Sequence, residues 1–215
     1  RRGSCLHRMP PLWSNMAILW QEAVLRLFHN GFYDVFSPIT TERLLIRKLA
    51  IGDAEDIFKV SSDPEVSRYV LWDTHRSIAD SRSMIRGAQH AYRCDEPASL
   101  AIVLRETGHV VGTIGFIWIE REHGCAEIGY SIGRPYWNRG LMTEALHAML
   151  DFGFEKLYLN RIEAQFDVRN PASGRVMQKN GLQREGLMRQ RMYNKGEYID
   201  VEMWAILASD YQKMR

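Results

Sequence analysis

The stretch AEIGYSIGRPYWNRGLMTEAL, residues 126–146, decides how this chain is read. Residues 126–132 have the apolar character of a strand, Gly133, Arg134 and Pro135 interrupt it, and a helix-forming run begins at Thr143. A strand, a tight loop and a helix N-terminus therefore follow one another. The first N–H groups of a helix lack intrahelical partners and lie at the positive end of its dipole, so such a junction suits a phosphate-bearing ligand. Gly140 allows close approach of the backbone, and Arg139 adds positive charge. The three glycines of a dinucleotide fingerprint and the Gly-Lys-Ser/Thr of a Walker loop are both absent from this segment.

Working outward, the chain divides by its periodicities. Residues 1–13 carry arginines and prolines without a repeat and read as a mobile arm or a leftover of expression. Apolar positions from Ile18 to Phe28 predict a helix capped by Ser14 and stopped at Asn30-Gly31. Residues 44–49 read as a first strand, Asp53 as the cap of a following helix, and Ser77 as the cap of another. Residues 100–104, 110–119 and 126–132 form a meander; a helix over 143–156, a strand over 161–168, a helix from Pro171 and a hairpin turning at Asn194-Lys195-Gly196 complete the chain. The expected fold is α/β (α+β), with a mixed, mostly antiparallel central sheet of about seven strands flanked by helices. Residues 1–37 are an arm with an extra helix, and residues 38–215 are one domain.

Composition agrees with a compact folded domain. Apolar residues make up 46% of 215, enough for a sizeable core. With 28 basic against 26 acidic side chains, charge gives no case for nucleic acid or membrane as partner. Cys5, Cys94 and Cys125 are scattered and odd in number, which argues for a reducing, cytoplasmic setting. The apolar run near the start is too short to span a bilayer. The seven histidines show no ligand spacing, so no metal is expected. Trp118, Trp137 and Trp204 read as core filling or as support for the loop.

A second block, VRNPASGRVMQKNGLQREG at residues 168–186, joins the phosphate loop, TERLLIRKL at 41–49 and GEYIDVEMWAIL at 196–207 in a fixed order. Together these resemble the GCN5-related N-acetyltransferase (GNAT) superfamily, and most of all its ribosomal-protein N-acetyltransferase (Rim-type) branch, over residues 38–211. The loop departs from that pattern in opening with Trp137 and closing with Met142, changes that a site built from backbone amides tolerates.

The resemblance implies acetyl-CoA as cofactor and an amine as acceptor, either a protein N-terminus or a small amine such as an antibiotic or polyamine, and leaves a homodimer open. It places the pyrophosphate on the loop formed by Trp137, Asn138, Arg139, Gly140, Leu141, Met142 and Thr143. The pantetheine arm follows Tyr130, Ser131, Ile132 and Asn170. Ser173 matches the serine that protonates the leaving sulfur; a first-turn serine bonding local backbone is the plainer alternative. The branch's glutamate, nineteen positions after that serine, is Met192 here, and Met cannot take a proton. Glu127 is the substitute, acting through a water, unless it is only the outward residue of an alternating strand; Tyr193 is the further candidate. An α-amine, with a pKa of about 7.7–8.0, needs less help from a base than lysine, so the missing glutamate favours an N-terminal acceptor. A module that binds acyl-CoA without turnover is the competing reading.

Overall fold

The computed structural model describes residues 31–214. The helix expected over residues 14–30 lies outside them. The description begins with a short helix α1 (Phe32–Val35), then strands β1 (Ile39–Thr40) and β2 (Leu44–Arg47). Helices α2 (Ala54–Ser61), α3 (Pro64–Ser67) and α4 (Ile78–Arg93) follow. The meander is β3 (Leu100–Leu104), β4 (Val110–Glu120) and β5 (Cys125–Ile132), leading to helix α5 (Leu141–Glu155). Strand β6 (Arg161–Asp167), helix α6 (Pro171–Lys179), the hairpin β7 (Gln183–Asn194) and β8 (Glu197–Leu207), and helix α7 (Ala208–Lys213) close the chain.

The eight strands form one sheet in the order β1-β2-β3-β4-β5-β6-β8-β7. Every neighbouring pair is antiparallel except β5 and β6, which are parallel, as the βαβ unit around α5 requires. The strand beyond the expected seven is β1, where Ile39 and Thr40 pair with Ile46 and Leu45. The chain reverses there because Thr41 Oγ1 accepts the Leu44 amide and the Thr41 amide donates to the Leu44 carbonyl.

Helix α5 is buried almost all round, through Leu141, Met142, Ala145, Leu146, Met149, Leu150 and Phe152, and lies across one sheet face with Ile46, Ile102, Ile114, Ile128 and Ile162. The aromatic rings of Phe32, Tyr33 and Phe36 join the same core. On the opposite face α2 and α4 cover Ala101, Val103 and Val110 with Ile57, Ile85 and Ala88.

Local expectations shift in three places. The strand read over 44–49 stops at Arg47, whose guanidinium turns to both Asp53 oxygens at 2.8 Å. Asp53 does not cap the next helix through its side chain; its carboxylate reaches back instead to the Ala50 amide. Helix α5 begins at Leu141 rather than Thr143, because Gly140 takes the left-handed conformation (φ 73°) that starts it. Ser77 does precede α4, where the Asp80 carboxylate accepts the Arg76 and Ser77 amides.

Candidate active site

The site is where β5 and β6 part. The two strands share only the register pairs Cys125–Arg161, Ala126–Ile162 and Glu127–Glu163, although β5 continues to Ile132 and β6 to Asp167. Gly133 donates its amide to the Val111 carbonyl, which fixes the alternation along β5. The backbone groups of Tyr130 and Ile132 therefore point away from β4 and into the gap. Ser131 points its backbone the other way, and its hydroxyl lies 3.2 Å from Thr113 Oγ1 within the sheet.

Past Ile132 the loop is braced on several sides. Trp137 donates its indole N–H to the Ile132 carbonyl at 2.8 Å, so this ring supports the loop as expected. Arg134 pairs with Asp63 at 2.7 Å. Asn138 (φ 59°) and Gly140 (φ 73°) are both left-handed, conformations that asparagine and glycine adopt most readily. The amides of Asn138, Arg139, Gly140, Leu141, Met142 and Thr143 meet no carbonyl acceptor among the described residues, whereas the Glu144 amide already bonds to Gly140. Such a run of unpaired donors at a helix start fits a pyrophosphate without any side-chain contact.

Two polar groups flank this region on opposite faces of the sheet, since Glu127, at the last β5–β6 pair, and Tyr130 differ by an odd number of positions. On one side, Tyr130 and Ser173 form a closed pair. The Ser173 hydroxyl donates to Tyr130 Oη at 3.1 Å, and that phenol donates to the Ser173 carbonyl at 3.2 Å. Burial raises the Tyr130 pKa well above its ordinary value, against a smaller opposing effect of Ser173, so this phenol stays protonated. Asn170 precedes α6, where its carbonyl accepts the Ser173 amide and its side chain makes no cap. The corner is held by buried Asp167, whose carboxylate binds the amide and guanidinium of Arg169.

On the other side, Glu127 is held at both oxygens. Trp118 donates Nε1–H to Oε2 at 2.7 Å, and Gln165 donates its amide to Oε1 at 2.9 Å. Trp118 thus takes neither of the roles expected of it, core filling or support for the loop. A bulge between Phe116 and Trp118 inserts Ile117 into β4 and turns Trp118 onto the face of Glu127. Gln165 shares that face because it lies two positions beyond Glu163 in β6. Gln165 escaped the sequence reading, although its parity was available to find it.

Tyr193 is not brought to either group. Its ring is exposed, packs against Tyr198 at the end of the last hairpin, and has no described contact with Glu127 or Ser173. Met192 stands opposite Ile199 in the same hairpin. Among the described residues no three His, Cys, Asp or Glu side chains are grouped to hold a metal ion.

The model of the acetyltransferase (GNAT) domain family matches residues 43–183. The "uncharacterized N-acetyltransferase p20" of Bacillus licheniformis is 37% identical over 171 residues, covering 80% of this chain and 96% of that protein. The ribosomal-protein-serine acetyltransferase of Escherichia coli is 28% identical over 134 residues, covering 60% of this chain and 72% of that one. Among solved structures, a GNAT-family acetyltransferase from Bacillus anthracis superposes with a TM-score of 0.73 at 32% identity, over 80% of this chain and 99% of that chain.

Proposed function

This chain belongs to the acetyltransferase (GNAT) family, and on that premise we propose that it acetylates a protein N-terminal α-amine of the ribosomal-protein type. It is an N-acetyltransferase whose donor is acetyl-CoA. The observation that carries the finer reading is Glu127, fixed at both oxygens beside the gap where β5 and β6 cease to pair.

When bound, acetyl-CoA supplies an acetyl thioester. The loop amides from Asn138 to Thr143 hold its pyrophosphate, and the backbone of Tyr130 and Ile132 with the Asn170 side chain lines the path of the pantetheine. A backbone N–H at the end of β5 steadies the thioester oxygen where negative charge grows. Glu127, clamped by Trp118 and Gln165, accepts the proton of the amine through a water. Ser173 gives its hydroxyl proton to the leaving sulfur and is reprotonated from solvent, into which Glu127 releases the amine's proton, while the Tyr130 phenol, still protonated, holds Ser173 in place. Acid and base thus reach the gap from opposite faces of the sheet.

The α-amine follows from how little basicity this arrangement provides. With Met192 in place of the branch's glutamate, a water-mediated carboxylate is the base, and it suffices for an amine with a pKa of about 7.7–8.0 more readily than for lysine at about 10.4. The test is acetyl-CoA turnover on a panel of N-terminal peptides, lysine peptides and small amines. Turnover confined to antibiotics or polyamines overturns the acceptor, and donor binding without turnover on any amine overturns catalysis.

A further inference from the structure

We propose that Arg43, in the bend that leads into β2 and far upstream of the loop, is a phosphate-binding residue of the donor site. This rests on the reading that the loop takes the pyrophosphate.

Arg43 is fixed from two directions. Its amide donates to Glu144 Oε1 at 2.8 Å and its Nε to Glu144 Oε2 at 2.6 Å, while Nη1 donates to the carbonyl of Arg139 at 2.9 Å. Thr41 Oγ1 also donates to Glu144 Oε1, at 2.6 Å. A guanidinium is planar, so a bond at Nε and another at Nη1 determine where Nη2 lies. That nitrogen lies 3.6 Å from the point to which a Cβ on Gly140 would project, beside the run of unpaired loop amides. The side chain remains 43% exposed, so its outer edge is open to a ligand.

The charges make sense only with this residue in place. Glu144 stands in the first turn of α5, where a carboxylate suits the helix dipole but repels a phosphate bound to the same turn. Arg43 offsets that carboxylate and still presents N–H groups toward the loop. Of the two cations that the loop itself carries, Arg134 pairs with Asp63 at 2.7 Å and Arg139 has its guanidinium over the Tyr136 ring, 5.8 Å from the ring centre. The positioned cation at the phosphate loop is therefore Arg43, reached through a contact between residues 96 apart in sequence.

The test compares donors with and without phosphates: acetyl-CoA, and acetyl-pantetheine as the phosphate-free probe. Arg43→Gln should weaken acetyl-CoA binding about 10- to 100-fold by calorimetry, the scale of a charged hydrogen bond. The preference for acetyl-CoA over acetyl-pantetheine in kcat/KM should fall by a similar factor, with partial rescue by Arg43→Lys. An equal loss on both donors makes Arg43 a brace of the loop and overturns the proposal, as does unchanged acetyl-CoA affinity. Should Arg43→Gln fold poorly for want of a partner to Glu144, the pair Arg43→Gln/Glu144→Gln removes both charges and carries the same comparison. Gly140→Asp separates the two readings. If it abolishes acetyl-CoA binding while Arg43→Gln does not affect it, only Arg43 is misassigned; if neither variant affects it, the loop is not the phosphate site.

Discussion

Trp118 donates its indole N–H to Glu127 Oε2 at 2.7 Å across the bulge in β4, and this bond aims the carboxylate. If Glu127 is the base, Glu127→Gln should lower kcat by about 10²- to 10⁴-fold while leaving acetyl-CoA affinity nearly intact. Trp118→Phe keeps an aromatic side chain but loses the N–H donor together with the five-membered ring, so its loss of kcat should be smaller, about 10-fold, on the scale of a lost bond to a charged group. Steady-state kinetics beside calorimetry separates these outcomes. Wild-type kcat in the Gln variant makes Glu127 structural.

The Tyr130–Ser173 pair makes a second expectation. Ser173→Ala removes the hydroxyl proposed to protonate the sulfur and should reduce kcat by about 10²-fold or more. Tyr130→Phe keeps Ser173 but breaks the bond to its carbonyl, so kcat should fall less. A larger loss in the phenylalanine variant would transfer the acid role to the phenol.

At the loop, Gly140→Asp puts a carboxylate where the phosphate is expected, with its Cβ 3.6 Å from Arg43 Nη2. Aspartate tolerates left-handed backbone better than most residues, so the strain should be about 1–2 kcal/mol or less. Acetyl-CoA binding should fall far more than the melting temperature, as calorimetry and thermal denaturation will read. An unchanged dissociation constant excludes the loop.

Acid should loosen the same loop through Glu144. Burial pushes its pKa up, but the Thr41 hydroxyl and the amide and guanidinium of Arg43 outweigh that, leaving it below its ordinary 4.5. A carboxylate depressed by folding contributes stability that is complete above its unfolded pKa and is lost as pH falls through the folded value. The melting temperature of the wild type should therefore exceed that of Glu144→Gln near neutral pH, and the gap should close on titration below about pH 4.5. A gap that does not change with pH means the carboxylate does not titrate as argued.

Much of this was legible in sequence where the signal was local. Asn194-Lys195-Gly196 marked a hairpin, and Lys195 (φ 49°) and Gly196 (φ 94°) adopt the positive φ values of a tight turn between β7 and β8. The strand, loop and helix around Gly140 could be read because Gly, Pro and an apolar run stand side by side. Trp118 could not, because strict alternation from Ile114 and Phe116 sends it to the core, and only the bulge at Ile117 reverses its face. Nor could Arg43 and Glu144, which are 101 residues apart and meet only once the sheet has formed. Tyr193 has chemistry suited to the site, but its sequence context does not show that its strand carries it away from Glu127 and Ser173.

The brief pairing of β5 with β6 bears on more than ligand entry. With three register pairs at its centre, the sheet is mechanically two smaller sheets joined by a short weld, β1 to β5 on one side and β6, β8 and β7 on the other. In most sheets the middle strands are the last to give up their amide hydrogens to solvent. Here the amides of Tyr130 and Ile132, central in the strand order, have no β6 pairing partner among the described residues to guard them. They should take up deuterium on the schedule of a surface loop and become protected when a ligand arm lies along the seam.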